Sequence, residues 1–128
     1  MTDDAPLLAV VDDDADVRVA LTRLVSSAGF AVETFGSGAE FLRSLRDHEP
    51  DCLVLDLHMP EMGGLDVQAT LASRHSTIPV VVITGHDTPE SRARAMQLGA
   101  RGYLRKPVND SVLLETIESA IGGRAGQE

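Results

Sequence analysis

The chain has no tryptophan, one tyrosine and three phenylalanines among its 128 residues, so a core has to be assembled almost entirely from aliphatic side chains. Its single cysteine, Cys52, excludes a disulfide framework, and the apolar neighbours of that residue mark it as a small core hydrophobe. Nowhere do apolar residues run for the ~18 positions that a membrane-spanning helix needs. The opening residues Met1-Thr2-Asp3-Asp4-Ala5-Pro6 are acidic and lack the apolar stretch of a secretory signal. These absences read as a cytoplasmic protein without a membrane partner. Basic residues are scarce as well. Eleven Lys and Arg stand against 20 Asp and Glu, a net charge of −9, and a field of that sign repels nucleic acid and anionic lipid.

What is present suits one folded domain. A hydrophobic share of 43% and a charged share of 24% are ordinary for a globular protein and too apolar for a disordered chain. The length gives room for one core. Apolar runs of strand length alternate with helical patterns five times over: Leu7–Val11, Ala31–Phe35, Cys52–Leu55, Val80–Ile83 and Gly102–Leu104. Val80-Val81-Val82-Ile83 is continuously apolar and β-branched, as expected of a strand covered on both faces.

Between the runs, Val17, Ala20, Leu21, Leu24, Val25 and Ala28 form a helical stripe that Gly29 terminates. Ser37-Gly38-Ala39-Glu40 is a capping-box pattern for the second helix. The third helix, about Leu65 to Arg74, has the weakest stripe. Thr88 caps the fourth, with Pro89 at its first position. The last places Leu113, Leu114, Ile117, Ala120 and Ile121 on one face, and residues 122–128 read as a linker or frayed tail behind a domain of residues 1–121. Strand alternating with helix gives a doubly wound α/β sandwich: a five-stranded parallel sheet with helices on both faces, joined by right-handed crossovers. The pattern leaves the strand order open.

The residues that end the strands carry the chemistry. The first run meets Asp12-Asp13-Asp14, the third Asp56, the fourth Thr84 and the fifth Lys106. A parallel sheet puts all strand C-termini on one edge, where ligands bind at the topological switch point. Crowded carboxylates raise one another's pKa unless a cation lies among them. Few hard oxygen ligands suit Mg²⁺, which shares itself with phosphate oxygens. A carboxylate can attack phosphorus, and a metal ion with a lysine neutralises the phosphoryl oxygens. The residues by themselves thus point to a metal-assisted phosphoryl site. Asp14 serves better as a helix cap than as a ligand.

Val10-Val11-Asp12-Asp13, Leu55-Asp56-Leu57-His58-Met59-Pro60-Glu61-Met62-Gly63-Gly64, Ile83-Thr84-Gly85-His86 and Lys106-Pro107 resemble, in order and spacing, the two-component response-regulator receiver domain. The likeness runs from about Leu8 to Ile121 and is closest to the FixJ-type branch. It implies a CheY-like, flavodoxin-like fold with strand order 2-1-3-4-5 and a cis Lys106-Pro107 bond. It implies Asp56 as phosphoacceptor from a sensor histidine kinase or a small phosphodonor. Mg²⁺ would be held by the side chains of Asp13 and Asp56 and the backbone carbonyl of His58, with Asp12 acting mainly through a water on the metal. Thr84 and Lys106 would contact the phosphoryl group, and Tyr103 would turn inward after Thr84. His58 and His86 would border the pocket and tune access of water. A transition-metal site built on those two imidazoles is the lesser reading.

The resemblance further implies a signalling domain rather than a turnover enzyme. It suggests homodimerisation through the face of the fourth helix, fifth strand and fifth helix, and a C-terminal DNA-binding output domain beyond this chain. The rivals are a Mg²⁺-dependent aspartyl-phosphate phosphatase, which usually carries a second Asp where His58 stands, and a flavodoxin-like nucleotide module, which needs a Gly-rich loop absent after the first strand. A degenerate receiver used for docking alone is disfavoured by the complete set of site residues.

Overall fold

The computed structural model describes residues 5–125. The N-terminal residues 1–4, read above as lacking a signal, and residues 126–128 of the tail lie outside that range. Five strands and five helices alternate: β1 (Leu7–Val11), α1 (Ala15–Ser27), β2 (Ala31–Phe35), α2 (Gly38–Ser44), β3 (Cys52–Asp56), α3 (Gly64–Ser73), β4 (Val80–Thr84), α4 (Pro89–Gln97), β5 (Gly102–Arg105) and α5 (Asp110–Ala125). All ladders are parallel and the order is β2-β1-β3-β4-β5, the doubly wound arrangement expected.

Strand side chains alternate between two cores. Leu8, Val10, Val54, Val81 and Ile83 pack with Val25, Leu113 and Ile117 of α1 and α5. Ala9, Val11, Leu53, Leu55 and Val82 pack with Phe41, Val67, Leu71 and Ala95 of α2, α3 and α4. The period of two sends neighbouring residues to opposite faces, so a strand sandwiched between helix layers has to be apolar throughout. Phe41, fully buried, meets Phe35 edge-on at 5.7 Å. Cys52 belongs to the α1/α5 core, where burial pushes its thiol up to about 12, a packing residue as expected.

The helix starts follow from their caps. Asp14 accepts from the Asp16 N–H, Ser37 Oγ from Glu40 N–H at 3.2 Å, and Thr88 Oγ1 from Ser91 N–H at 3.0 Å. The reciprocal bond of a capping box occurs at α3, where the Gly63 N–H donates to the Asp66 carboxylate at 3.1 Å. Gly29 and Gly99 take φ of 98° and 102° behind α1 and α4, where an L side chain would be strained.

One expectation needs correction. The last helix opens at Asp110, with the Asn109 side chain accepting from Val112 N–H at 3.0 Å. It also continues to Ala125, past Ile121, so residues 122–125 are helix rather than linker. Two glycines cost a helix only about 1 kcal/mol each. Gly123 also has a packing reason: a Cβ there would stand 2.5 Å from Nη1 of Arg101.

Candidate functional site

β3, β4 and β5 each run one residue beyond the apolar pattern, to Asp56, Thr84 and Arg105. Asp56 and Thr84 are therefore held in the ladder rather than in a loop. The Leu57 N–H donates to the Ile83 carbonyl at 3.1 Å, and the Lys106 N–H to the Thr84 carbonyl at 2.8 Å. β1 delivers Asp12 to the same edge, where its N–H donates to the Phe35 carbonyl at 3.1 Å. Behind Asp56, α3 comes very close. A Cβ on Gly64 would stand 2.5 Å from the Asp56 carbonyl oxygen and 2.9 Å from Leu57 Cα, so only glycine fits at that turn. The Lys106-Pro107 bond is cis, as the resemblance implied.

Asp12, Asp13 and Asp56 each offer a carboxylate oxygen within 4.8 Å of the other two. Asp12 and Asp56 are buried and Asp13 is exposed. The Lys106 ammonium donates to Asp12 Oδ2 at 2.9 Å and lies 3.5 Å from Asp56 Oδ1. Asp12 Oδ1 accepts from Asp14 N–H at 2.9 Å. Both Asp12 oxygens thus have protein donors, while the Asp13 carboxylate has no hydrogen-bond partner among the described residues.

Burial, then the neighbouring Asp12 charge, pushes the Asp56 carboxyl up to about 6; Lys106 opposes the shift and Asp13 adds to it. Burial alone would lower Lys106, but Asp12 and Asp56 outweigh it and hold the ammonium above its usual range. Three carboxylates against one ammonium leave the charge that one divalent cation would cancel. All-oxygen donors and a solvent-facing Asp13 fit Mg²⁺.

Thr84 is fully buried, and its Oγ1 accepts from the His86 N–H at 3.0 Å. Its hydroxyl proton is therefore free to be donated elsewhere. Thr84 and Lys106 share an open polar cavity of about 380 Å³ with Gly85, Asp87, Arg105 and Pro107. His58 and His86 are both exposed, rings edge to face with centroids 5.4 Å apart. The two imidazoles do not converge on a common point with the carboxylates. Instead His58 Nε2 donates to the His86 carbonyl at 3.1 Å, tying the loop after β3 to the loop after β4. The His58 N–H makes a long contact of 3.4 Å to Asp56 Oδ1.

The Tyr103 ring lies inward, 8% exposed, and its hydroxyl has no hydrogen-bond partner among the described residues. The Arg92 guanidinium covers the ring at 4.9 Å from its centroid, a contact that holds the aromatic beneath α4. Burial, with the Asp87 carboxylate nearby, raises the phenol pKa.

Two neighbours of the site escaped the sequence reading. Asp87 lies 4.0 Å from the Arg105 guanidinium, and Arg18 of α1 reaches back to the Asp12 carbonyl. Asp87 could have been suspected because it follows Thr84 in the same loop. Arg18 could not, since a charged residue off the apolar stripe of a helix reads as solvated. Of the other histidines, His48 pairs with Glu33 at 2.8 Å, and His75 takes a φ of 55° behind α3.

The response regulator receiver domain model matches residues 8–118. The response regulator protein TodT of Pseudomonas putida is 39% identical over 121 residues, 94% of this chain and 53% of TodT. The DNA-binding transcriptional regulator NtrC of Escherichia coli is 38% identical over 112 residues, 88% of this chain and 24% of NtrC. The solved structure of FixJ-N superposes with a TM-score of 0.85 at 36% identity, covering 94% of this chain and 96% of that one. The chain spans about half the length of TodT and about a quarter of NtrC. No helix among the described residues is long and apolar enough to cross a membrane. The family match over residues 8–118 and the likeness in fold and sequence to these relatives agree, and the chain belongs to the response regulator receiver domains of two-component signal transduction.

Proposed function

We propose that this domain receives a phosphoryl group on Asp56 from a sensor histidine kinase or a small phosphodonor and thereby switches an output. The observation that carries the reading is the three-carboxylate cluster of Asp12, Asp13 and Asp56 bridged by Lys106. An Asp56 oxygen forms the new P–O bond as the P–N bond of a phosphohistidine breaks; the imidazole leaves with the electron pair and takes up a proton. Asp13 and Asp56, with the His58 backbone carbonyl, would hold Mg²⁺, and Asp12 would orient its waters. When bound, Mg²⁺ neutralises charge on the phosphoryl oxygens.

Lys106 supplies the second positive charge, and Thr84 donates its hydroxyl to the phosphoryl group. The tied loops of His58 and His86 limit the approach of water to the acyl phosphate. Drawing the Thr84 hydroxyl to the phosphoryl group favours the inward packing of Tyr103, a shift in a pre-existing two-state equilibrium. The responding surface is α4-β5-α5, through which the phosphorylated domain dimerises. Output is transcriptional, through a DNA-binding domain beyond this chain, by analogy with the similar DNA-binding transcriptional regulator NtrC. The setting is cytoplasmic, and the domain modifies itself rather than turning over a separate substrate.

Incubation with acetyl phosphate and Mg²⁺ should add one phosphoryl group by intact mass, and Asp56→Asn should abolish the addition. Full labelling of the Asn variant would sink the assignment.

A further inference from the structure

Asp12 is held at every polar group. Its N–H reaches Phe35, one carboxylate oxygen takes the Asp14 N–H and the other takes Lys106. Its carbonyl oxygen accepts from Arg18 Nη1 at 2.7 Å, the shortest of the four. That carbonyl belongs to the planar peptide joining Asp12 to Asp13, so its direction fixes how Asp13 leaves the sheet. Asp13 needs such help, because no hydrogen bond among the described residues aims its exposed carboxylate. The guanidinium also occupies the side-chain space of Gly36, with Nη1 3.3 Å from where a Cβ would stand. Arg18 therefore spans the turn after β1 and the end of β2 from one turn inside α1.

We propose that Arg18 is a positioning residue for the cation site. It fixes the Asp12–Asp13 peptide so that the Asp13 carboxylate stands with those of Asp12 and Asp56, and it does so without touching the cation. This rests on reading the cluster as a Mg²⁺ site. Charge alone predicts the reverse, since removing a guanidinium beside a cation site should tighten cation binding. The sign of the change therefore separates positioning from field.

The test is calorimetric titration of Mg²⁺ into the metal-free chain and into Arg18→Met, Arg18→Lys and Asp13→Asn variants. Arg18→Met should weaken binding about tenfold, in the range seen when supports of metal ligands are removed. Arg18→Lys, which keeps one donor, should weaken it about two- to threefold, and that variant alone decides if the Met chain does not fold. Asp13→Asn should lose most of the binding. Wild-type or tighter affinity in the Arg18 variants, with binding lost in Asp13→Asn, overturns the positioning role and leaves the cation site standing. Wild-type affinity in Asp13→Asn overturns the cation site itself, and this inference with it.

Discussion

Replacing Asp56 by Asn should stabilise the metal-free protein at neutral pH and leave it unchanged in acid. The carboxyl is 3% exposed and titrates at about 6, against an unperturbed 3.8. A raised carboxyl pKa means that the folded state prefers the protonated form. The contribution of Asp56 is thus most favourable below pH 3.8, falls as pH rises through about 6, and stays unfavourable above it. A shift of about two units corresponds to about 3 kcal/mol. The amide also surrenders the 3.5 Å contact with Lys106, so the net gain at pH 7.5 should be about 1–3 kcal/mol, or about 4–12 °C in melting temperature for a domain of this size. Melting followed by circular dichroism in EDTA at pH 4 and pH 7.5 measures it. Saturating Mg²⁺ should close the gap by stabilising the wild type more. An Asn variant that melts at or below the wild type at pH 7.5, or a difference independent of pH, would refute the account of Asp56 as a buried, charge-crowded carboxyl.

Three further outcomes follow from particular contacts. Gly64→Ala puts a methyl 2.5 Å from the Asp56 carbonyl oxygen, with no flexible side chain to yield; it should cost about 2–3 kcal/mol in urea denaturation, and an unchanged midpoint would deny the close approach of α3. Tyr103→Phe removes a buried hydroxyl without a partner among the described residues and should raise stability by about 1 kcal/mol, whereas a comparable loss would mean that the hydroxyl is bonded, with Asp87, whose carboxylate raises the phenol pKa, as the acceptor. Beryllofluoride with Mg²⁺ should shift the wild type toward dimer in sedimentation velocity and shift Thr84→Ala less; an equal shift in both would remove Thr84 from the switch.

The strand runs, the caps at Asp14, Ser37 and Thr88, and the stop at Gly29 were legible in the sequence because each depends on neighbours within a few positions. So was the meeting of Asp12, Asp13, Asp56 and Lys106 at one sheet edge, since parallel strands leave their C-termini on the same side. Apolar periodicity could not show that Asp56 and Thr84 are the last rungs of the ladder, because a polar residue at a strand end looks like the start of a loop. Nor could it carry α5 through Gly122 and Gly123. There a distant side chain, Arg101, uses the space that the missing Cβ leaves.

The sequence by itself determined the alternation of elements, the two-faced sheet and the residue types at the site. Tertiary structure alone decided the relations between segments far apart in the chain. The inward Tyr103 beneath Arg92, the clasp from His58 to the His86 carbonyl and the hold of Arg18 on the Asp12 peptide are such relations. Local pattern encodes which face a residue presents; which group it meets there depends on distances of a few tenths of an ångström set by the packing of the whole sheet and its helices.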